Sequence, residues 1–497
     1  QYEPDRRLFN DVYNNGYWRG PSGGLYPLER RWRDIEESGW QYALNQKIPF
    51  RQWTGDEGYI KAGLFRDAVT RTYEQDTFNY EQGNVGSSFQ GGPDDLWSDT
   101  FLTGYPVIDG PAGLQRGWHV APGDTDIDYR GQQEIRAWYV MGDLPLTSFL
   151  SVMGGARVET TDISARMRPS KGVYDSNFSV LSIQTDQNGS EYVNKLRIGS
   201  DDELAEHTPD LDQRDVLPAL GIKLSPADNL NLRLNWSKTI ARPTFKELMP
   251  VEFKESAASA TYFGNPRLKM SDVENYDVRI EFMPAQGQIW SASYFYKKLT
   301  DPIDMRAYNG YIEGEMFITP VNYPEGRIDG VELEVRQHLG DWVGWAKGLT
   351  AGANAAFMES EVTRPKAEYD SVKPFGGRRT RRMAGQPDHL LGLNLMYDID
   401  AWGTSLGLFF TRRGDALVTG DSVNGDRYIP MIFENTVDTL DFNLSQKIYE
   451  RWSLGFRVKN ILDPDIEQEY RLEKGGEALR SSYKLGREYS LSLSCEW

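Results

Sequence analysis

The chain has 497 residues, of which 39% are hydrophobic, 12% aromatic and 26% charged, and its net charge is −18. This composition excludes an intrinsically disordered chain, which would have few aromatic residues. The acidic balance argues against nucleic acid as a partner, because phosphate binding needs clustered lysine and arginine. Cys495 is the single cysteine, so the sequence excludes an intrachain disulfide and a cysteine-based metal site.

Apolar and polar residues alternate in many segments, and this period of two predicts about fifteen β-strands. In chain order, the clearest of these segments are 59–73, 134–144, 150–161, 216–226, 229–239, 275–284, 288–298, 329–339, 348–360, 390–399, 403–413, 439–448, 452–460 and 487–497. Long amphipathic helices are nearly absent. The pattern therefore predicts an all-β protein built on a large antiparallel sheet.

The connections between the predicted strands are of two kinds. Short ones lie at 225–229, 284–288, 398–403 and 449–451, and long polar ones at 81–128, 166–212, 242–272 and 360–386. Because the two kinds tend to alternate, they predict an up-and-down transmembrane barrel with short periplasmic turns and long extracellular loops. No stretch of about 18 apolar residues is present, so no transmembrane helix is expected.

The polar residues on each strand indicate whether the interior of the barrel is packed with side chains or filled with water. They are too polar for a packed interior and suit a wide, wet lumen: Arg233, Asn235, Glu332, Glu334, Arg336, Asp441, Asn443, Arg457 and Lys459. The apolar set would then contact lipid, with aromatic residues at the strand ends. A large soluble sheet with one solvated face is the alternative interpretation.

Loop 81–128 is the most plausible ligand surface in the sequence. It combines aromatic rings with charged groups, as a loop that stacks on sugars, porphyrins or peptides would: Asp94, Asp95, Trp97, Phe101, Tyr105, Arg116 and Trp118. A loop that packs on its own barrel would also use aromatic residues, so both interpretations stay open.

Other charged segments give weaker signals. Asp124, Asp126 and Asp128 begin like a calcium-binding loop but lack its later glycine and glutamate, which leaves them a weak candidate for a metal site. The basic cluster of Arg378, Arg379, Arg381 and Arg382 could bind lipopolysaccharide phosphates or an anionic ligand, or could be a solvated loop. No catalytic motif is present, and neither an enzyme nor a cofactor is predicted.

A series of motifs follows the strands in a fixed order. The strand at 229–239 leads into Ala241, Arg242, Pro243, Phe245, Glu247 and Leu248, and later strands carry Asn265 and Pro266, Gly330 and Glu332, and Asn460 and Asp463. These motifs resemble those of the C-terminal β-barrel of TonB-dependent outer-membrane receptors. The terminal strand, with Tyr489, Leu491, Leu493 and Trp497, resembles the signal that the barrel-assembly machinery recognises in this family.

The resemblance implies a 22-stranded barrel with an N-terminal plug domain and a TonB box. Neither a plug nor the full number of strands is visible in the sequence. We therefore expect residues 1–497 to be the C-terminal part of such a barrel, with the plug, the TonB box and the first strands outside this chain. A divergent barrel without a plug is the less favoured interpretation.

The same resemblance implies a function in the outer membrane of a Gram-negative bacterium. The protein would bind a scarce extracellular solute and import it with energy delivered through TonB, which would contact the part of the protein outside this chain. Iron chelates, cobalamin, oligosaccharides and peptides are all open as cargo. A scaffold role in a larger outer-membrane complex, with a surface lipoprotein as partner, is the first alternative, and a passive porin is the second.

Overall fold

The computed structural model describes residues 18–19, 25–26, 28–82, 118–122, 127–169, 179–185, 187, 191–253, 260–309, 316–424, 427–449, 451–472 and 475–495. Fifteen strands build the main sheet: β1 (Leu28–Arg51), β2 (Glu57–Gln82), β3 (Ile127–Thr147), β4 (Leu150–Pro169), β5 (Asp210–Ala227), β6 (Leu230–Ala241), β7 (Ser271–Phe282), β8 (Ile289–Thr300), β9 (Glu325–His338), β10 (Leu349–Thr363), β11 (His389–Ile399), β12 (Thr404–Arg413), β13 (Val437–Tyr449), β14 (Trp452–Lys459) and β15 (Glu488–Cys495). The predicted all-β class and the predicted number of strands are confirmed.

Each strand pairs antiparallel with the next one along the chain, and the sheet forms a barrel. In the described residues, the registers give β1 only β2 as a barrel neighbour and β15 only β14. Side-chain exposure agrees with this, since Leu491 on β15 is 73% exposed whereas Leu333 on β9, in the middle of the sheet, is 45% exposed. The first and last strands therefore each keep one edge without described pairing.

Short turns and long loops alternate strictly around this sheet. The turns at 52–56, 148–149, 228–229, 283–288, 339–348, 400–403 and 450–451 lie at one end, and the loops at 83–126, 170–209, 242–270, 301–324, 364–388, 414–436 and 460–487 lie at the other. The predicted sorting of the connections is confirmed, and it extends to three long loops that the sequence did not single out. The end of the barrel that carries the long loops is called the mouth below.

The registers sort the side chains of the sheet into two faces. One row across β6 to β9 is polar, with Arg233, Arg279, Ser293 and Glu332, and the next row is apolar, with Leu234, Val278, Tyr294 and Val331. The polar face lines the lumen, where Arg279 bridges Glu281 at 2.8 Å and Glu334 at 3.1 Å. The apolar face points outward, as expected for contact with lipid.

Exposed aromatic residues mark the level of the short turns: Trp53, Phe149, Trp342, Trp345, Trp402 and Tyr449. On β4, the outward apolar stretch runs from this level to Val158, which is roughly 25–30 Å at 3.3 Å per residue. Because barrel strands are tilted, a stretch of that length is about what one strand needs to cross the apolar band of an outer-membrane barrel. Among the residues that the structure describes, no helix is both long and apolar enough to cross a membrane.

The long loops carry structure of their own. Their strands are Trp118–Pro122, Ser179–Thr185, Glu191–Arg197, Glu252–Phe253, Thr261–Phe263, Ile303–Asn309, Met316–Asn322, Thr380–Arg381, Ala416–Thr419, Ser422–Asn424, Arg427–Ile429, Met431–Glu434, Ile466–Arg471 and Glu477–Tyr483. Two further short strands, Trp18–Arg19 and Leu25–Tyr26, precede β1 and pair with each other. Three short helices are α1 (Asp201–Ala205), α2 (Phe245–Leu248) and α3 (Lys366–Val372), and 3₁₀ turns span Leu339–Asp341, Gly344–Ala346, Lys373–Phe375 and Asp400–Trp402. The buried core of the chain lies among these loops and the adjoining lumen wall.

Candidate functional site

The loop after β6 turns inward at the mouth instead of continuing outward. Arg242, the first residue beyond β6, donates from Nε to Oγ1 of Thr161 at 2.9 Å and forms an ion pair with Glu159. Both partners lie on the lumen face of β4, where Arg157 also donates to Glu159 at 2.6 Å. Arg242, which belongs to the family motif Ala241-Arg242-Pro243, therefore anchors this loop to the inner wall of the barrel.

Helix α2 follows within this loop and begins with a capping box. The Thr244 hydroxyl accepts from the Glu247 backbone amide at 3.3 Å, and the Glu247 carboxylate accepts from the Thr244 amide at 2.7 Å. This reciprocal capping box satisfies two backbone donors that a helix start leaves without partners. Pro243 precedes the cap, where the chain is extended and needs no helical hydrogen bond.

The apolar side of α2 closes over the lumen wall. Phe245 and Leu248 are buried, and a Cβ built on Gly131 of β3 would lie 2.4 Å from the Phe245 ring. Because Gly131 has no side chain, the Phe245 ring can pack directly against the backbone of β3. The cluster that results joins loops to strands: Tyr73, Ile127, Tyr129, Ile163, Val180, Ile198, Leu204, Phe245, Leu248, Met249, Val251 and Leu268.

Cationic side chains stack on aromatic rings around this cluster. On the lumen wall, Arg71 lies 5.6 Å from the centre of the Phe245 ring, and Arg157 lies 4.9 Å from that of Phe65. From the loop, Lys246 lies 4.9 Å from the ring of Tyr262. Burial lowers the pKa of the Arg242 guanidinium, and the like charge of Arg157 lowers it further. Such a lining suits a ligand with negative charge and flat or aromatic groups.

The second part of the family motif completes the fold of this loop. Asn265 donates from its backbone to the Glu247 carbonyl at 2.6 Å and from its side chain to the Pro320 carbonyl at 3.1 Å. Pro266 follows it in the turn. Asn265 therefore ties the loop after β6 to the loop after β8.

The remaining motif residues have places in the barrel wall. A Cβ on Gly330 of β9 would lie 2.5 Å from the Phe357 carbonyl of β10, so the strands approach closely there, and Glu332 lies on the lumen face. Asn460 and Asp463 have φ angles of 54° and 47°, which asparagine and aspartate tolerate better than most residues. Their side chains hold Gly486, at 2.8 Å and 3.0 Å, just before β15.

A network of buried charges joins four long loops at the mouth. This loop hub consists of Glu191, Asp304, Arg306, Tyr323, Arg364, Glu368, Arg381 and Asp421. Arg381 donates to Asp304 at 2.9 Å and to Tyr323, whose hydroxyl donates to Glu368 at 2.9 Å. Glu368 also faces Arg306 at 3.4 Å and Arg364 at 3.5 Å, and these arginines pair with Glu191 and Asp421, respectively.

Within the hub, the positive and negative side chains compensate each other's charge, which keeps them ionised although they are buried. Burial opposes the charge on Arg381, but Tyr323, Asp304 and Glu368 outweigh burial and raise the pKa of its guanidinium. Burial also raises the pKa of the Tyr323 hydroxyl, which stays protonated and can donate. Sequence reasoning missed this hub, because its members come from separate loops. Arg364, just before α3, and Glu368, within it, are close in sequence, but their other partners are not.

The basic cluster at 378–382 differs from the expected anion site. Arg381 is buried in the hub, and Arg382 donates to the Asp415 carbonyl at 2.9 Å, so neither is free to bind lipopolysaccharide. The expectation of a free anion-binding cluster is wrong for these two residues. Arg378 and Arg379 remain exposed.

Most of the predicted ligand loop lies outside the described residues. This applies to Asp94, Asp95, Trp97, Phe101, Tyr105 and Arg116, and also to Asp124, Asp126 and Trp497, while Trp118 begins a strand beside β2. Asp128 is buried, accepts from the Gln75 amide at 3.1 Å and faces Arg168 at 3.3 Å. Within the described part of the chain, no group of three or more metal-ligating side chains occurs.

The terminal strand has the predicted division of faces. Tyr489, Leu491 and Leu493 lie opposite the outward residues Val458, Phe456 and Leu454 of β14, and Ser490 lies opposite the lumen residue Arg457. Cys495 belongs to the outward set. The proposed role of this strand as an assembly signal stays a prediction.

The fold and the mouth together define a transmembrane β-barrel whose extracellular loops fold inward on a polar lumen. The chain belongs to the family of TonB-dependent receptor-like β-barrels, whose model matches residues 1–461. Members of this family are transporters and receptors, not enzymes, and reside in the outer membrane. A comparison with curated proteins finds no match.

Several solved structures share the fold. The ferric yersiniabactin uptake receptor FyuA from Yersinia pestis has a TM-score of 0.52 at 13% identity, over 94% of this chain and 55% of that chain. The ferric citrate transporter FecA has a TM-score of 0.54 at 11% identity, over 97% and 57%. The siderophore receptor PiuA from Acinetobacter baumannii has a TM-score of 0.54 at 12% identity, over 93% and 56%. The chain thus spans little more than half the length of these proteins.

Proposed function

We propose that this chain is the barrel of an outer-membrane receptor that binds a scarce extracellular solute and imports it by energy coupling through TonB. The inward fold of the loop after β6 carries the proposal. Arg242 and Phe245 fix this loop across the lumen wall, and the loop hub orders four further loops at the mouth. A passive porin needs an open mouth, whereas a receptor needs an ordered binding surface.

The lining of the mouth favours an anionic metal chelate as the solute. Arg71 and Arg157 lie over aromatic rings, and Arg242 lies near Arg157 on the same wall. Guanidinium groups bind carboxylate or catecholate oxygens through two parallel hydrogen bonds. The three similar solved structures are also named for ferric or siderophore cargo. We propose that the aromatic and charged residues of loop 81–128 contribute to the same binding surface.

The other partners follow from the same proposal. A plug in the part of the protein outside this chain would block the lumen, and its displacement by TonB would open the path. The barrel-assembly machinery would insert the protein through β15, and lipid would contact the outward face. The alternative is a scaffold role with a lipoprotein partner. A measurement of solute uptake can distinguish this role from transport.

The test is uptake of iron-55 as ferric citrate and as a ferric catecholate by cells that carry the full-length protein as their only receptor. We expect uptake of at least one chelate, and its loss when TonB is deleted. Uptake that persists without TonB would support a porin, and no uptake of either chelate, with cobalamin also inactive, would support the scaffold role.

Two variants connect the measurement to the mouth. Arg242→Met should reduce uptake at limiting chelate, because it removes both a cation and the anchor of the loop. Lys238→Met is the matched control, since Lys238 lies near the end of the same strand on the outward face, paired with Glu274 at 3.0 Å. Equal uptake by the two variants would show that Arg242 is not part of the binding surface.

A further inference from the structure

Two lysines on the lumen wall of β1 and β2 face each other below the mouth. Lys47 of β1 lies directly opposite Lys61 of β2, and the same row runs across β3 to Gly155 of β4. Gly155 is on the lumen face of β4, four residues nearer to the short turns than Glu159. The lysine pair therefore lies roughly 13 Å below the anchor of the loop after β6, at about 3.3 Å per residue.

Each of these lysines lies over an aromatic ring of the same wall. The Lys47 ammonium is 4.1 Å from the centre of the Tyr59 ring. The Lys61 ammonium is 5.8 Å from the centre of the Tyr139 ring. Such contacts attract an ammonium group without neutralising it, so both positive charges remain available to a ligand.

The position of the Tyr139 ring depends on a glycine. A Cβ built on Gly63 of β2 would lie 2.5 Å from this ring, so the ring can cross β2 only because Gly63 has no side chain. The Tyr139 hydroxyl then donates to Asn45 of β1 at 2.6 Å. The ring is thus fixed at both ends, and it holds the Lys61 side chain on the lumen wall.

The charge of the lysine pair has no local compensation. In the part of the chain that the structure describes, neither ammonium has a carboxylate within ion-pair distance. Like charges that are directly opposite each other destabilise a sheet, because their Cβ atoms are only about 4.5–5.5 Å apart. The wall of β6 to β9 differs, since Arg279 there pairs with Glu281 and Glu334. The lysine pair is therefore an uncompensated positive site in the lumen.

We propose that Lys47 and Lys61 form a second anion site, which binds carboxylate or catecholate oxygens of the solute after it leaves the mouth. One anionic group between the two ammonium groups would accept from both and remove their repulsion. The rings of Tyr59 and Tyr139 provide flat apolar faces for the rest of the solute. The site rests on the proposed function, because it lies on the path of the solute through the lumen.

Import and surface binding distinguish this site from the mouth. The variant is the full-length protein with Lys47→Met and Lys61→Met, and the probes are iron-55 as ferric citrate and as a ferric catecholate. Surface binding, measured in cells without TonB, should equal that of the wild type. Import in cells with TonB should fall at least about tenfold, because the chelate loses its charge-assisted hydrogen bonds below the mouth. Lys47→Arg with Lys61→Arg preserves both charges and should restore import.

The matched control carries Lys223→Met and Lys297→Met. These changes remove the same charge from the lumen face, but from β5 and β8, which are not neighbours. We expect the control to import like the wild type, and equal import by the two double-methionine variants would overturn the proposal. Weaker surface binding by the Lys47 and Lys61 variant, or growth inhibition of its cells by vancomycin, would also overturn it. Either result would mean that the lysines hold the mouth or the plug in place.

Thermal unfolding of the purified full-length protein tests the site without transport. Metal-free citrate should raise the melting temperature of the wild type more than that of the Lys47→Met and Lys61→Met variant, because an anion that binds only the folded state stabilises it. Sodium chloride at equal ionic strength controls for screening. An equal shift in both proteins would overturn the site. A larger shift in the wild type without import of either chelate would support the site and contradict the proposed function.

Discussion

At the residue scale, the mouth depends on positions where the side chain allows only one arrangement. Gly131 is one of them, because any larger residue would occupy the space of the Phe245 ring. Arg381 is another, because its buried guanidinium compensates the charge of Asp304 and donates to the Tyr323 hydroxyl at the same time. Each position supports a prediction that a single substitution can test.

Gly131→Ala should displace Phe245 and loosen the loop after β6. The added Cβ would lie 2.4 Å from the ring, and overpacking of this kind costs about 1–3 kcal/mol. The measurement is the rate of limited proteolysis between residues 242 and 270, which should rise. Gly142→Ala on the same strand is the control, since its Cβ would approach nothing closer than the Tyr59 carbonyl at 3.9 Å. Identical digestion of the two variants would contradict the packing of the Phe245 ring against Gly131.

Arg381→Met should destabilise the extracellular loops by about 3–5 kcal/mol, because it leaves buried carboxylates without their cation. Amide hydrogen exchange in the loops 301–324 and 364–388 measures the effect, and exchange should become faster in both. Arg379→Met is the control, since Arg379 is exposed beside Tyr369. The double variant with Asp304→Asn should regain part of the loss, and no change in exchange for Arg381→Met would disprove the hub as a link between loops.

At the scale of elements, the strands were predictable where their two faces differ. On β6 to β14, alternation locates every strand to within a few residues, because one face meets lipid and the other water. On β3, the prediction of 134–144 falls short of the observed Ile127–Thr147. The missing part on the mouth side projects beyond the apolar band, where Arg130 and Gln132 make the outward face polar and alternation fades.

The loop elements could not be predicted in the same way. The four-stranded sheet of Glu252–Phe253, Thr261–Phe263, Met316–Asn322 and Ile303–Asn309 combines segments from two loops. The loop hub also needs long-range contacts that no local pattern contains. By contrast, the motif at 241–248 was visible in the sequence, but its inward direction depends on Glu159 and Gly131 on other strands.

Helix α2 supports a prediction at this scale. Thr244→Ala removes the hydroxyl of the capping box and should cost about 1 kcal/mol of local stability. Because α2 has only four residues, this loss should be enough to raise hydrogen exchange at the Glu247 amide. Thr244→Ser preserves the hydroxyl and should behave as the wild type. Unchanged exchange in Thr244→Ala would show that tertiary packing alone maintains the helix.

At the scale of the whole molecule, the main feature is that β1 and β15 each have one edge with no pairing among the described residues. Backbone N–H and C=O groups cannot remain unpaired in the hydrocarbon region, where each costs several kilocalories per mole. Because the chain covers about 55–57% of the similar solved structures, we propose that strands from the rest of the protein close this gap. The plug would come from the same part.

Amide hydrogen exchange can test this closure on β15. In residues 1–497 alone, refolded in detergent, alternate amides of β15 should exchange rapidly, because only those bonded to β14 are protected. In the full-length protein, all of them should be protected by a second neighbour. Strand β8 is the control, since it is paired on both sides by β7 and β9 and should be protected in both samples. Complete protection of β15 in the shorter chain would mean that β1 and β15 pair directly and that this chain closes its own barrel.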